Sequence, residues 1–149
     1  MSKFIYLVLS LVVVSISCYK YVYAYQDVES TNSRRHSIMA KCAHKFGVTD
    51  NDLRTALRSG DVDVIDPCFW SCCFKGTGVL NKEGLYDLEA TLPLIKLTFR
   101  DDDYKEVQEI AKLCETVNNE IVNNGDAGCE RAAMLVSCFL DGGSNRHFY

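Results

Sequence analysis

Apolar residues recur along this chain at steps of three and four, and the two-residue alternation of strands is nearly absent. That period predicts helices throughout. Ile38, Met39, Cys42, Ala43 and Phe46 form one stripe, stopped by Gly47. Thr49 is a good N-cap for a second, short helix, with Asp50 and Asp52 in its first turn, Leu53, Ala56 and Leu57 inward, and Gly60 closing it. Asp66-Pro67 reads as N-cap and first helical position of a third helix, which carries Cys68, Cys72 and Cys73 and ends near Gly76. The glycine-rich stretch from Gly76 to Gly84 reads as a loop.

Asp87 caps a fourth helix bearing Leu88, Leu92, Ile95 and Phe99, which Pro93 should kink or shorten. Asp101 to Asp103 open what reads as the longest helix, with Tyr104, Val107, Ile110, Ala111, Cys114, Val117 and Ile121 on one face and Asn123-Asn124-Gly125 at its end. The last helix, from about Ala127, is apolar nearly all round through Leu140, as a centrally buried helix would be. Gly142-Gly143 then releases a tail ending in His147-Phe148-Tyr149. The expected fold class is all-α.

At 149 residues the chain suits one domain with a real core. Its N-terminus has the layout of a secretory signal: Lys3, an apolar run from Phe4 to Ile16, then small residues. Cleavage after Ala24 fits best, giving a signal peptide over 1–24 and a domain over 25–149; Ser15-Ile16-Ser17 offers a second site before Cys18. Thirteen apolar residues fall short of the ~20 that a spanning helix needs, so the expectation is a secreted, extracellular protein. Removing residues 1–24 leaves 14 Lys and Arg against 20 Asp and Glu, a net charge of −6. That argues against nucleic acid or an anionic membrane as partner. Export would make the cysteines disulfides rather than metal ligands.

Eight cysteines are present. On a helix Cys68 and Cys72 emerge from one face with Cβ atoms roughly 5–6 Å apart, whereas a disulfide needs about 3.8 Å. Each therefore reaches a different segment, and their helix becomes a hub clamped from two directions. Cys73 points about 100° away. Setting Cys18 and Cys73 aside leaves six cysteines and 15 pairings. Cys129 and Cys138 are separated by about 13.5 Å along a continuous helix and cannot bond either. Ten connectivities survive, and geometry goes no further.

The residue counts between successive members of the six are 25, 3, 41, 14 and 8. In order and spacing they resemble the six-cysteine signature of the insect pheromone and general odorant-binding proteins, across the whole of the expected secreted chain. The resemblance implies the pairs Cys42–Cys72, Cys68–Cys129 and Cys114–Cys138, and a compact bundle of about six helices stapled around an apolar cavity. Each staple would contribute ~3–4 kcal/mol through the unfolded state. Cys73 departs from the pattern. It is expected to be a buried, inert thiol; a bridge to Cys18 and an intermolecular link are the alternatives.

The function the resemblance implies is a non-enzymatic carrier of a small hydrophobic ligand, an odorant or pheromone. A membrane olfactory receptor is the further partner, and the state is monomer or homodimer. Apolar walls with few polar groups suit such a ligand. Candidate wall residues are Met39, Phe46, Leu53, Leu57, Phe74, Val79, Leu80, Leu92, Ile95, Ile110, Val117, Met134 and Leu135, with Phe148 and Tyr149 of the tail folding over the mouth. Trp70 either plugs the core or lies on the outer face of the hub. The alternatives are a non-olfactory carrier of lipids or other hydrophobic ligands, and a secreted helical signalling protein with a filled core.

No catalytic constellation stands out. Cys72-Cys73 is followed by Phe74-Lys75 rather than the His-Asp of secreted phospholipases, and His36, His44 and His147 lack metal-like partners at i+4. Asp101-Asp102-Asp103 sits at a helix start, where stabilising the positive terminus is its plain role. Neither a cofactor nor a metal is expected.

Overall fold

Local signals start and stop most of the helices. The computed structural model describes residue 30, residues 32–123 and residues 127–144. Two units divide the chain, 1–36 and 37–149. Residues 30 and 32–36 of the first are helical.

Helix α1 covers 37–46. Helix α2, Asp50–Ser59, begins with a capping box: the Asp52 N–H donates to the Thr49 hydroxyl, and the Asp52 carboxylate accepts from the Thr49 N–H at 2.9 Å. A 3₁₀ turn at Val62–Val64 leads to α3, Pro67–Thr77, where the Asp66 carboxylate accepts from the Cys68 N–H at 2.8 Å and Pro67 fills the first turn. It ends one residue beyond the expected Gly76, at Thr77, and Gly78 caps it in the left-handed conformation. The following loop closes through one isolated antiparallel bridge between Leu80 and Tyr86. Helix α4, Leu88–Thr98, capped by the Asp87 carboxylate, continues through Pro93. Pro93 and Glu89 are both exposed, so the helical carbonyl that Pro93 cannot bond stays open to water.

Helix α5 spans Asp101–Leu113 and is shorter than α6, Cys129–Ser144. The long helix expected from Asp101 to Ile121 is therefore a correction: from Cys114 to Asn119 the backbone tightens into a 3₁₀ turn. Side chains three apart eclipse in that geometry. Cys114 and Val117 stay buried, while Ile121, on the face at a 3.6-residue period, is 95% exposed. Gly142 is a second correction. It releases no tail, because α6 runs on to Ser144, and a Cβ there would meet Ile110 Cγ2 at 2.6 Å. It is small because α6 crosses α5 at that point.

Among the described residues the molecule is six α-helices and two 3₁₀ turns. The pairs are Cys42–Cys72, Cys68–Cys129 and Cys114–Cys138, with Cα separations of 5.8, 4.4 and 5.8 Å. They join α1 to α3, α3 to α6, and the 3₁₀ turn to α6. Sequence separations of 30, 61 and 24 make each worth about 4 kcal/mol in the chain-entropy view. Helix α3 packs most extensively on α6. No described helix is long and apolar enough to cross a membrane.

Candidate functional site

The hub helix organises the interior. Phe69, Trp70, Ser71 and Cys73 are its buried residues. The main core cluster gathers Cys42, Ala56, Val62, Ile65, Phe69, Trp70, Cys73, Leu80, Tyr86, Ile110, Cys114, Val117, Ala132, Leu135 and Val136. Of the wall residues expected from sequence, Leu80, Ile110, Val117 and Leu135 lie inside it, and Phe46, Leu53, Phe74 and Val79 pack half-buried against it. Five helices, a 3₁₀ turn and a loop thus send apolar groups to one place.

Ile95 sits in a smaller cluster with Val107 and Ala111, linked to the first through Leu88 and Phe139, and Leu92 is half-buried. Met39, Leu57 and Met134 keep 42, 38 and 37% of their surface open. Met134 lines an open outer groove of about 650 Å³ with Leu113 and Ala133, rimmed by Asp63, Glu130 and Asp141. Phe148 and Tyr149, the proposed lid, lie outside the described residues.

One wall of this interior is held by polar groups that the helical periodicity concealed. Arg131 is 6% exposed and donates to three backbone carbonyls: Nε to Val117 at 3.1 Å, and its two terminal nitrogens to Gly84 at 3.2 Å and Glu120 at 3.1 Å. No carboxylate partners it among the described residues. Asn118 grips Tyr86 at both backbone atoms, accepting from its N–H at 2.8 Å and donating to its carbonyl at 2.9 Å. The Ser71 hydroxyl donates to the Ala127 carbonyl at 2.5 Å. Gly128, at φ +67, sits so close to Gly84 that a Cβ would meet its Cα at 2.8 Å. Together these contacts fasten the Leu80–Tyr86 loop, the 3₁₀ turn, α3 and the start of α6 to one another. The only warning in the sequence is a lone Arg in an otherwise apolar helix.

Polar chemistry inside the cluster is sparse. Cys73 is buried and unbonded, and burial pushes its thiol up to about 11. Tyr86 meets Phe139 edge to face, with ring centres 6.3 Å apart. Burial pushes its phenol up to about 12; the Thr91 hydroxyl opposes this, and the Glu115 and Asp87 carboxylates add to it. The Thr91 hydroxyl donates to the Asp87 carbonyl at 2.7 Å, and the Tyr86 hydroxyl has no well-formed hydrogen bond among the described residues. The Trp70 indole nitrogen also lacks one among the described residues. Among the described residues, no three His, Cys, Asp or Glu side chains converge as a metal site would require.

Fold and interior together define a small all-α domain, stapled by three disulfides that converge on two helices. The chain belongs to the PBP/GOBP family, whose model matches residues 24–142. That is a family of binding proteins and carriers. Its fold is similar to that of the odorant-binding protein dmelOBP28a from Drosophila melanogaster, with a TM-score of 0.58 at 23% identity, over 82% of this chain and 99% of that one. No curated protein matches the sequence.

Proposed function

We propose that this protein is an extracellular carrier that encloses one small hydrophobic molecule, an odorant or pheromone, and delivers it through aqueous fluid. The observation that carries the proposal is the convergence of Phe46, Leu53, Phe74, Val79, Leu80, Ile110, Val117 and Leu135 on one apolar cluster inside a triply stapled shell. Four of these are only half-buried by their own chain. Apolar surface left uncovered beside a core is what a greasy guest can cover, at about 25 cal/mol per Å² removed from water. The staples support the reading, since they lend stability without needing every apolar group to be packed on another.

The disulfides fit an oxidising compartment. A signal peptide over 1–24 would provide the export, and a membrane receptor would take the delivered ligand. Met39 and Leu57 would join the wall once a ligand is present, with Phe148 and Tyr149 over its mouth. Uptake of a fluorescent apolar probe, and its displacement by long-chain alcohols or esters at about one site per chain, tests the proposal. A disulfide-intact protein that takes up no probe would be a packed protein of another role.

A further inference from the structure

We infer that the Trp70 indole N–H is the polar anchor for the guest, so that this carrier prefers apolar molecules bearing one accepting oxygen, a ketone or an ester, over plain hydrocarbons. The inference rests on the carrier reading above and names its ligand class. Trp70 lies on the hub helix between Cys68 and Cys72 and is 6% exposed. Its indole nitrogen can only donate, and here it is buried with no hydrogen bond among the described residues. A buried donor left unmade is costly, and folded proteins seldom tolerate one without a use.

The apolar cluster Trp70 belongs to is built of aliphatic and aromatic groups and cysteines. Tyr86 has Thr91, Glu115 and Asp87 around its hydroxyl, whereas the indole nitrogen has no hydrogen-bond partner among the described residues. Phe69 meets the Trp70 ring near edge-on, with centres 5.0 Å apart at 69°, and so fixes the ring plane. The two disulfides fix the helix on either side of it, to α1 and to α6. The donor is therefore held in place in an apolar setting. A ketone or ester oxygen entering there exchanges a bond to water for one to the indole, and the buried donor gains the partner it lacked. An alcohol can accept the same bond but buries its own O–H, and an alkane brings nothing.

Trp70 is the only tryptophan in the chain, so indole signals belong to it alone. The test uses the disulfide-bonded protein and N-phenyl-1-naphthylamine as displaceable probe, comparing a medium-chain methyl ketone with the alkane of equal length. One net hydrogen bond predicts that the ketone displaces the probe about 3- to 10-fold more tightly. The Raman mode of the indole N–H should move to its hydrogen-bonded position with ketone and not with alkane, and Trp70→Phe should level the two ligands. Equal displacement by both, or an indole mode already hydrogen-bonded in the free protein and unmoved by ketone, overturns this inference alone. Failure of any ligand to displace the probe, or of the probe to enter, overturns the carrier reading and this inference with it. If Trp70→Phe does not fold, the Raman comparison on the unaltered protein decides.

Discussion

Replacing Arg131 with Met should be among the most damaging single changes outside the cysteines. Met keeps most of the apolar bulk, so packing is largely preserved and the loss is electrostatic. Three carbonyls lose a charged donor. They are not equally dependent on it. Glu120 is exposed, so water can replace the guanidinium there. The Val117 carbonyl keeps a long bond from the Glu120 N–H at 3.4 Å. Gly84 is buried and loses most. A buried acceptor left unmade costs ~1–3 kcal/mol, partly offset because a cation no longer has to be desolvated. The two other lost bonds add roughly 1–2 kcal/mol between them, so with the offset the sum is about 2–4 kcal/mol.

For a chain of this length that corresponds to a fall in Tm of about 5–15 °C. The assay is reversible guanidine and thermal unfolding with all three disulfides intact. Amide exchange at Gly84 and Tyr86 should speed up more than exchange in α4. Arg131→Lys should recover little, since a point charge cannot reach three carbonyls with a planar fork. A loss below ~0.5 kcal/mol for Arg131→Met, or full recovery by Lys, would refute the claim that the fork organises this wall.

Gly128→Ala should cost roughly 2–4 kcal/mol, from a positive φ and a collision with Gly84. Gly47→Ala, also at positive φ but facing open space, should cost about 1 kcal/mol; equal losses in denaturant titrations would remove the close approach as a cause. Cys73 should resist thiol reagents in the native protein at neutral pH and react once guanidine unfolds it. Because burial raises its thiol from 9.0 to about 11, its neutral form contributes stability below pH 9 that is lost as pH climbs toward 11; rapid native labelling at pH 8 would contradict this. Thr49→Ala should cost about 1 kcal/mol in chemical denaturation, with Thr49→Ser near neutral. Its hydroxyl and N–H hold the Asp52 carboxyl below the usual carboxylate range. The cap therefore stays intact in mildly acid solution and fails only as pH falls through that depressed value, which the Thr49 and Asp52 amide shifts would report.

What the sequence made legible follows from range. Thr49 with Asp52, Asp66-Pro67, Asp87 and Gly60 act within a turn of where they stand, and each sets the boundary expected of it. The three bridges came from a resemblance in spacing, since helix geometry alone left ten pairings open. Long-range causes were hidden. Nothing local announces that Cys114, tied to Cys138, begins a 3₁₀ turn that swings Ile121 into solvent. Nothing local announces that Gly84 and Gly128 touch, or that Gly142 makes room for Ile110. For the wall residues the limit is of another kind. Periodicity says that Phe46 or Leu53 faces inward, but the same stripe arises whether the facing surface is another side chain or a ligand.

The way these constraints are distributed bears on how a guest could enter. The start of α6 is fastened by Cys68–Cys129, by Ser71 on Ala127, by Arg131 on three carbonyls and by Gly128 on Gly84. Breaking any one leaves the others in place, so that wall holds its shape. Helix α1 has one staple, Cys42–Cys72, and a close seat where a Cβ on Gly76 would meet Ile38 at 2.5 Å. Helix α2 has no disulfide, and its main packing partner is the short 3₁₀ turn that follows it. Only Ala56 of α2 is fully buried, while Leu53 and Leu57 are partly or largely open. Openings cluster where few apolar contacts and no cross-links hold an element. An entry route through α2 therefore disturbs the fewest interactions, and it would leave untouched both the stapled hub and the indole donor it presents.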